Sequence, residues 1–306
     1  MKKRGYKNGV CNHIYQRTIN RFNIFYNLSD YLSYYTIFAM MAIKYEVVVF
    51  GLCLMIDHIH MLVQTRDRKT LSDFVSIVTS VFVRQYNEDI GRRGPLFEER
   101  FGSAPKSDRK RLVSAIIYLS NNPVEKRVCV RAEEYRWNFL AYMSSEFPFS
   151  SKVNRKTARN ILRKALRVVD WHRSQGKYLS SSLLSDLMSG MTAEEKDQLT
   201  DYIIVRYNVI AYENLSRIFG SYGQLLIAVH STTGSEYELD EYIDRLPDSV
   251  YQEMIGYLLD RYGDRVRKVT QLSSREKFHL AECLRLQTQA PMRQIFKFLH
   301  VEAKKL

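Results

Sequence analysis

The sequence predicts an α+β protein, with a small antiparallel sheet in the front half of the chain and helices in the back half. Two observations lead to this prediction. Between residues 10 and 88 the hydrophobic pattern follows the order strand, helix, strand, strand, helix, which is typical of an antiparallel sheet with helices on one face. Beyond residue 180 almost all of the chain has the apolar spacing of helices.

The first elements are assigned from alternation and from helix-start signals. Residues 10–27 alternate in polarity as a strand does. Residues 29–44 have helical spacing and open with Ser29 and Asp30, which favour the start of a helix. Two strands rich in apolar residues then meet near Cys53.

Two later helices complete the front half. The first runs from Thr70, a plausible N-cap, to about Glu88. The second covers residues 112–123 and is expected to end near Pro123, because the residue before a proline disfavours helical geometry.

The charge is unevenly distributed along the 306 residues. The chain has 46 Lys and Arg against 33 Asp and Glu, a net charge of +13. Residues 1–150 have a net charge of +8, residues 151–180 hold nine basic side chains and one acidic, and residues 181–306 have a net charge of −3. The positive charge therefore lies in residues 1–180, which suits a polyanion bound across this part of the chain.

Composition also divides the chain. Residues 144–151 (Ser-Ser-Glu-Phe-Pro-Phe-Ser-Ser) have the composition of a boundary. We expect an α+β domain over residues 1–147, a basic linker and helix over 148–180, and a helical accessory domain over 181–306.

Several classes of protein are disfavoured by the same composition. The most apolar region, residues 35–55, contains Lys44 and Glu46 and is too interrupted for a membrane span. The amino terminus lacks the apolar core of a signal peptide. We therefore expect a cytoplasmic protein without a membrane partner. The four cysteines show no Cys-x-x-Cys spacing, which argues against a disulfide framework or a zinc knuckle: Cys11, Cys53, Cys129 and Cys283.

The most informative motif is a histidine pair in a strand-like run, Met55-Ile-Asp-His-Ile-His-Met-Leu-Val63. Side chains alternate along a strand, so His58 and His60 point the same way while Ile59 points to the core. Two imidazoles on one face can bind a divalent metal. The alternative is a pair of polar side chains on a solvated face.

A second motif lies on the helix over residues 112–123. Tyr118 and Asn122 are four residues apart and share a face that differs from the apolar one. A phenol and a carboxamide one turn apart can face the same bound phosphate. The alternative is a half-buried tyrosine followed by an asparagine near the helix end.

Two basic segments are candidates for nucleic-acid contact. Residues 91–111 form a glycine-punctuated loop with Phe97 and Phe101, and cations and rings together suit a single strand; its basic residues are Arg92, Arg93, Arg100, Lys106, Arg109, Lys110 and Arg111. Near the carboxyl end, two helices beginning at about residues 273 and 290 resemble a helix-turn-helix. There Arg293, Gln294 and Lys297 are placed to reach duplex DNA.

Together these motifs resemble a known family over roughly residues 5–143. The pieces occur in the family's order: Asn12-His-Ile-Tyr-Gln-Arg17, Gly51-Leu-Cys-Leu-Met55 running into the histidine pair, Tyr86-Asn87, Gly94-Pro-Leu-Phe-Glu-Glu-Arg-Phe101, Tyr118 to Val124, and Tyr135-Arg-Trp137. This ordered set resembles the HUH single-strand DNA transposases, specifically the REP-associated tyrosine transposases of bacteria.

The resemblance implies a fold, a reaction and roles for four residues. It implies a ferredoxin-like core, in which Tyr118 attacks the scissile phosphate and forms a 5′-phosphotyrosine link. His58, His60 and Asn122 would bind Mg²⁺ or Mn²⁺. The implied substrate is single-stranded DNA with palindromic hairpins. The protein would act as a monomer or a homodimer, and duplex DNA is a further possible partner of the carboxyl-terminal region.

The chain also departs from the family's pattern. Members usually have Pro-Asn before the first histidine, where this chain has Ile56-Asp57. Members often have Trp-Ser-Ser near the end of the domain, where this chain has Trp137-Asn138-Phe139. None of these changes removes a residue expected to do chemistry.

Three other functions remain open at this stage. A domesticated transposase would bind hairpin DNA or RNA without cutting it. A transcriptional regulator would use residues 181–306 to bind duplex DNA. A hydrolytic nuclease would leave free 5′ ends and no protein–DNA adduct.

Overall fold

The structure of the chain is a computed structural model that describes residues 5–98, 101–231 and 246–302. It contains a four-stranded antiparallel sheet and, in its described ranges, eleven α-helices. The α+β class predicted from the sequence is confirmed.

The sheet has the strand order β2-β3-β1-β4, and every neighbouring pair is antiparallel. Together with the order of elements along the chain, this is the ferredoxin-like arrangement that the family resemblance implied. The strands are β1 (Cys11–Arg17), β2 (Val48–Leu54), β3 (His58–Gln64) and β4 (Gly102–Lys106).

Helices cover both faces of this sheet. Helices α1 (Leu28–Lys44) and α2 (Arg68–Ile90) pack against each other, and Gln16 of β1 donates to Thr79 of α2. Helix α3 (Arg109–Glu125) lies on the opposite face. Because side chains alternate along a strand, the residues of β1 next to Gln16 point to this face. The prediction that helices cover only one face of the sheet is corrected here, because α3 follows β4 along the chain and packs on the other face.

The ends of several elements also differ from the predictions. Strand β1 ends at Arg17 rather than near residue 27, because a short 3₁₀ turn over Ile19–Arg21 follows it. Helix α2 is capped by Asp67, whose carboxylate accepts from the backbone N–H of Thr70, so Thr70 is not the cap. Helix α3 continues to Glu125 with Pro123 in its last turn.

The back half of the chain is helical, as predicted, and it is built on two apolar cores. The first five helices of this half share the core of the sheet: α4 (Asn160–Ser174), α5 (Ser181–Met188), α6 (Ala193–Arg206), α7 (Tyr212–Phe219) and α8 (Tyr222–Ser231). The remaining helices form a second core: α9 (Ser249–Tyr262), α10 (Ser274–Thr288) and α11 (Met292–Leu299). The predicted boundaries at residues 148 and 181 stay predictions. In the described ranges, no helix is both long and apolar enough to cross a membrane.

The second core is joined to the front half by contacts and by charge. Tyr26 and Ile56 of the front half belong to it. Arg267, in the 3₁₀ segment Gly263–Gln271, donates to the buried carboxylate of Asp30 and, at 3.1 Å, to Asp89 Oδ2. One guanidinium thus links the segment before α10 to both α1 and α2.

We expect Arg267→Ala to lower the free energy of unfolding by about 3–5 kcal/mol, because it leaves the buried carboxylate of Asp30 without its cation. Urea unfolding followed by circular dichroism measures the change. Arg275→Ala, an exposed arginine on α10, is the matched control and should change stability by less than about 0.5 kcal/mol. Equal effects of the two substitutions would contradict a structural role for this ion pair.

Candidate active site

The histidine pair lies on β3 and faces helix α3. His58 Nε2 is 3.1 Å from Asn122 Oδ1, and His60 Nε2 is 3.2 Å from Asn122 Nδ2. All three residues are buried. The structure therefore brings the three predicted ligands together: both imidazoles contact the amide of Asn122, although strand and helix are far apart in the sequence.

The other ring nitrogen of each histidine has its own partner. His58 Nδ1 lies 2.5 Å from Asp57 Oδ1, and His60 Nδ1 lies 3.0 Å from His13 Nε2. Partners at Nδ1 fix the orientation and the tautomer of an imidazole, as they do for metal-binding histidines. Both rings are therefore held at Nδ1, and their Nε2 atoms are directed at the same amide, that of Asn122.

Tyr118 joins this cluster from α3, one turn before Asn122. Its hydroxyl accepts a hydrogen bond from Asn122 Nδ2 at 3.5 Å. Its ring packs edge-on against His60 and His13, with ring centroids 5.6 and 5.9 Å apart. The predicted nucleophile is thus in contact with the amide that both imidazoles face.

The electrostatics of the cluster keep one group neutral and one charged. Burial, followed by the neighbouring His58 and His13, lowers the pKa of His60 well below its usual value. Burial works to raise the pKa of Asp57, but His58 and then Lys297 lower it to about 2. At neutral pH His60 is therefore an uncharged imidazole, the form that binds metal ions, and Asp57 is a carboxylate.

Helix α3 is held over the sheet by close packing at its middle and by a hydrogen bond near its end. A Cβ at Gly51 of β2 would lie 3.3 Å from Leu119 Cδ2, so the glycine lets α3 approach the sheet. Asn121 Nδ2 donates to the carbonyl of Val229 on α8 at 2.7 Å. These contacts set the positions of Tyr118 and Asn122.

Several residues of the cluster were not predicted as site residues. His13 and Tyr15 share a face of β1, and Tyr15 lies opposite His60 in the register of β1 and β3. The ring of Tyr15 is 4.9 Å from that of His60, and its hydroxyl accepts from Arg17 Nε at 2.7 Å. Alternation in the sequence groups His13 with Tyr15, but only the strand pairing shows which residues they meet.

Asp57 is the other residue that the sequence did not single out as functional. It occupies one of the positions where the chain departs from the family's Pro-Asn. In the structure its carboxylate contacts His58 Nδ1. The departure therefore places a charged partner behind the first histidine.

The predicted metal ligands are two imidazoles and one amide. Within the described ranges, no group of three His, Cys, Asp or Glu side chains is arranged to hold a metal ion. Asn122 faces both Nε2 atoms and stays the predicted third ligand.

Comparison with known proteins finds a sequence family that is similar to the front part of the chain. Residues 7–121 match the sequence family described as "Transposase IS200 like". The match includes His13, His58, His60 and Tyr118, and Asn122 follows directly after it. The family resemblance stated from the motifs is confirmed, and the match over residues 7–121 supports the transposase class of enzymes.

A solved structure is also similar to part of the chain. It is described as "Structure of the REP associates tyrosine transposase bound to a REP hairpin". The similarity covers 45% of this chain and 80% of that one, with 13% sequence identity and a TM-score of 0.38. Among curated proteins, none matches the chain.

The basic residues of segment 91–111 that were predicted to contact DNA divide into exposed residues and residues with partners inside the protein. Arg93, Lys110 and Arg111 are exposed, although Arg111 pairs with Asp108. The others have structural contacts or are buried: Arg92 donates to the carbonyls of Gly94 and Pro95, Arg109 donates to the carbonyl of Ile218, and Lys106 is buried. Arg100 lies outside the described residues, and Phe97 is part of the apolar core.

The three carboxyl-terminal residues predicted to reach duplex DNA lie in different surroundings. Gln294 is 1% exposed and donates to the carbonyl of Pro247, so its predicted DNA contact is corrected by the structure. Lys297 is also buried and lines a cleft rather than the outer surface of α11. Arg293 is exposed, and its contact with DNA stays a prediction.

We expect Gly51→Val to lower the free energy of unfolding by about 1–3 kcal/mol, because its side chain would press against Leu119 of α3. Chemical denaturation measures the change. The control is Gly256→Ala on α9, where nothing lies within 4 Å of an added Cβ and helix propensity favours alanine by up to about 1 kcal/mol. A Gly51→Val protein as stable as the wild type would show that α3 is not in tight contact there.

Proposed function

We propose that this chain cuts and rejoins single-stranded DNA with Tyr118 as the nucleophile. The observation that supports this most directly is the shared contact of Tyr118, His58 and His60 with the amide of Asn122. A structural tyrosine would not require two imidazoles with oriented Nε2 atoms beside its hydroxyl. The match of residues 7–121 to IS200-like transposases supports the same class of reaction.

His58, His60 and Asn122 fit a divalent cation, and we propose Mg²⁺ or Mn²⁺. The fit rests on the two Nε2 atoms, which face the oxygen and the nitrogen of one amide, and on the partners that hold both Nδ1 atoms. Such a cation, when bound, supplies Lewis-acid stabilisation of the charge that develops on the scissile phosphate. An amide oxygen is a hard donor of the kind these ions bind.

The reaction of the protein's own residues is a pair of transesterifications. The Tyr118 oxygen attacks phosphorus, the bond from phosphorus to the 3′ oxygen breaks, and the phenol proton is transferred in effect to the new 3′-hydroxyl. The 5′ phosphate stays on Tyr118 until a 3′-hydroxyl attacks it and releases the tyrosine. Each step exchanges one phosphoester for another, so no nucleotide cofactor is needed.

The proposed substrate is a hairpin-bearing single strand. The resemblance to REP-associated tyrosine transposases implies a folded strand with the cut beside the hairpin. The net charge of +8 over residues 1–150 and the exposed Arg93, Lys110 and Arg111 supply cations for its phosphates. These three side chains belong to the same domain as Tyr118.

We expect the wild type to form an SDS-resistant, protease-sensitive adduct with end-labelled hairpin strands in Mn²⁺ or Mg²⁺, and Tyr118→Phe to form none. The phenylalanine keeps the ring packing and removes the attacking oxygen. Tyr257→Phe, which changes a partly exposed tyrosine on α9, is the matched control and should leave the adduct yield unchanged. Free 5′ ends without an adduct would indicate a hydrolytic nuclease, and tight binding without cleavage would indicate a non-cleaving binder.

We expect Asp57→Ala to weaken Mn²⁺ binding by about 10- to 100-fold, because partners at the Nδ1 of a ligating histidine contribute that much to metal affinity. Calorimetric titration of the DNA-free protein measures it. Asp57→Asn keeps an oxygen that accepts from His58 Nδ1 and should lie closer to the wild type. Asp186→Ala, at an exposed position on α5, is the control. Unchanged affinity in Asp57→Ala would contradict the proposed cation site.

A further inference from the structure

A cleft of about 730 Å³ separates the connection between β1 and α1 from helix α11. Its volume lies within the range of about 300–1,000 Å³ that is usual for small-ligand sites. Three residues of the connection and three of α11 face each other across it: Asn20, Arg21 and Phe22, and Arg293, Phe296 and Lys297.

The chemistry of this lining suits a nucleotide. Arg21, Arg293 and Lys297 bring three cations, while Phe22 and Phe296 are partly exposed rings. Cations with rings are the combination that binds single strands, through phosphates and stacked bases. Two carboxylates, Glu98 and Glu302, also line the cleft; carboxylates accept hydrogen bonds from the amino groups of bases.

One wall of the cleft has an unusual backbone. Asn20 and Arg21 have φ values of 55° and 54°, in the left-handed region that residues other than glycine seldom adopt. Such conformations persist only when the surroundings enforce them, and they concentrate at functional sites. Here the backbone N–H of Asn23 donates to the carbonyl of Lys297 at 3.4 Å, and His300 Nε2 lies 2.6 Å from the carbonyl oxygen of Asn23. The wall is thereby fixed to α11.

The cleft also adjoins the candidate active site. The backbone N–H and the hydroxyl of Thr18 both donate to the carbonyl of Asp57 at 3.0 Å, and Asp57 contacts His58. The segment that runs into the cleft wall is therefore hydrogen-bonded to the residue that precedes His58, so the cleft and the histidine pair are connected through Thr18 and Asp57.

We propose that this cleft binds one unpaired nucleotide of the strand that Tyr118 cuts, with its phosphate on Arg21, Arg293 or Lys297 and its base against Phe296. This inference rests on the proposed function. It assigns α11 to recognition of the single strand in the same molecule as the catalytic tyrosine, in place of the duplex contact predicted from the sequence.

The test is an abasic scan in the full-length Tyr118→Phe protein, which binds but does not cut. Fluorescence anisotropy measures the affinity for hairpin strands in which one flanking nucleotide at a time lacks its base. We expect one position where the abasic change weakens binding by about 5- to 100-fold, as for loss of one stacked base. Adding Phe296→Ala should reduce the loss at that position to less than about twofold.

Controls separate the cleft from general effects. Trp171→Ala, which removes an exposed ring on α4, should leave the abasic profile unchanged. Arg293→Ala should lower the slope of log affinity against log salt by about one, whereas Arg285→Ala, an exposed arginine on α10, should not. Arg293 is exposed, so this variant remains informative if Phe296→Ala fails to fold.

The outcomes are distinct from those of the adduct assay. An abasic profile that is the same in the Phe296→Ala and Trp171→Ala proteins, with equal salt slopes for the two arginine variants, would overturn the cleft proposal. The adduct formed by Tyr118 would then still stand. If the wild type forms no adduct but the abasic scan gives the expected Phe296-dependent loss of affinity, the proposed cleavage is overturned and the cleft stands as a binding site.

Discussion

The candidate active site depends on the antiparallel pairing of β1 with β3. In this register Tyr15 lies opposite His60, and His13 falls on the same face as the histidine pair. Gln16, the next residue along β1, points to the other face, where it contacts α2. Because side chains alternate along a strand, a slip of one residue would turn both histidines toward α2 and away from Tyr118. Such a slip would be costly because both faces of β3 are buried: it would exchange the apolar Ile59 with the histidines on either side of it.

The site is assembled from three segments that contribute different functions. Strand β3 brings the imidazoles, β1 brings the side chain behind His60, and α3 brings the phenol and the amide. Helix α3 reaches the sheet because Gly51 has no side chain beneath Leu119. Local features thus support the chemistry: the carboxylate of Asp57 comes from the turn that directly precedes the first histidine.

The carboxyl-terminal helices contribute to the surroundings of this site. The Tyr26 hydroxyl donates to the carbonyl of Phe298 at 2.6 Å, and the rings of Phe22 and His300 are stacked with centroids 4.6 Å apart. Both contacts attach α11 and its C-cap to the connection between β1 and α1. Asp248 lies at the start of α9. Burial and the neighbouring carboxylate of Asp57 raise the pKa of Asp248 to about 7. The carboxyl-terminal helices are therefore packed against the front half of the chain, and Asp57 influences the ionisation of Asp248.

The fold class, the family resemblance and the two motifs that meet in the site could all be predicted from the amino-acid sequence. Periodicity and a few residues carry that information locally: His58 and His60 are two apart on a strand, and Tyr118 and Asn122 are one turn apart on a helix. The sequence could not predict which side of the sheet α3 covers, that His13 meets His60, or that Gln294 is buried while Arg293 is exposed. Those outcomes depend on strand register and on packing between distant segments, and neither leaves a periodic signal in the chain.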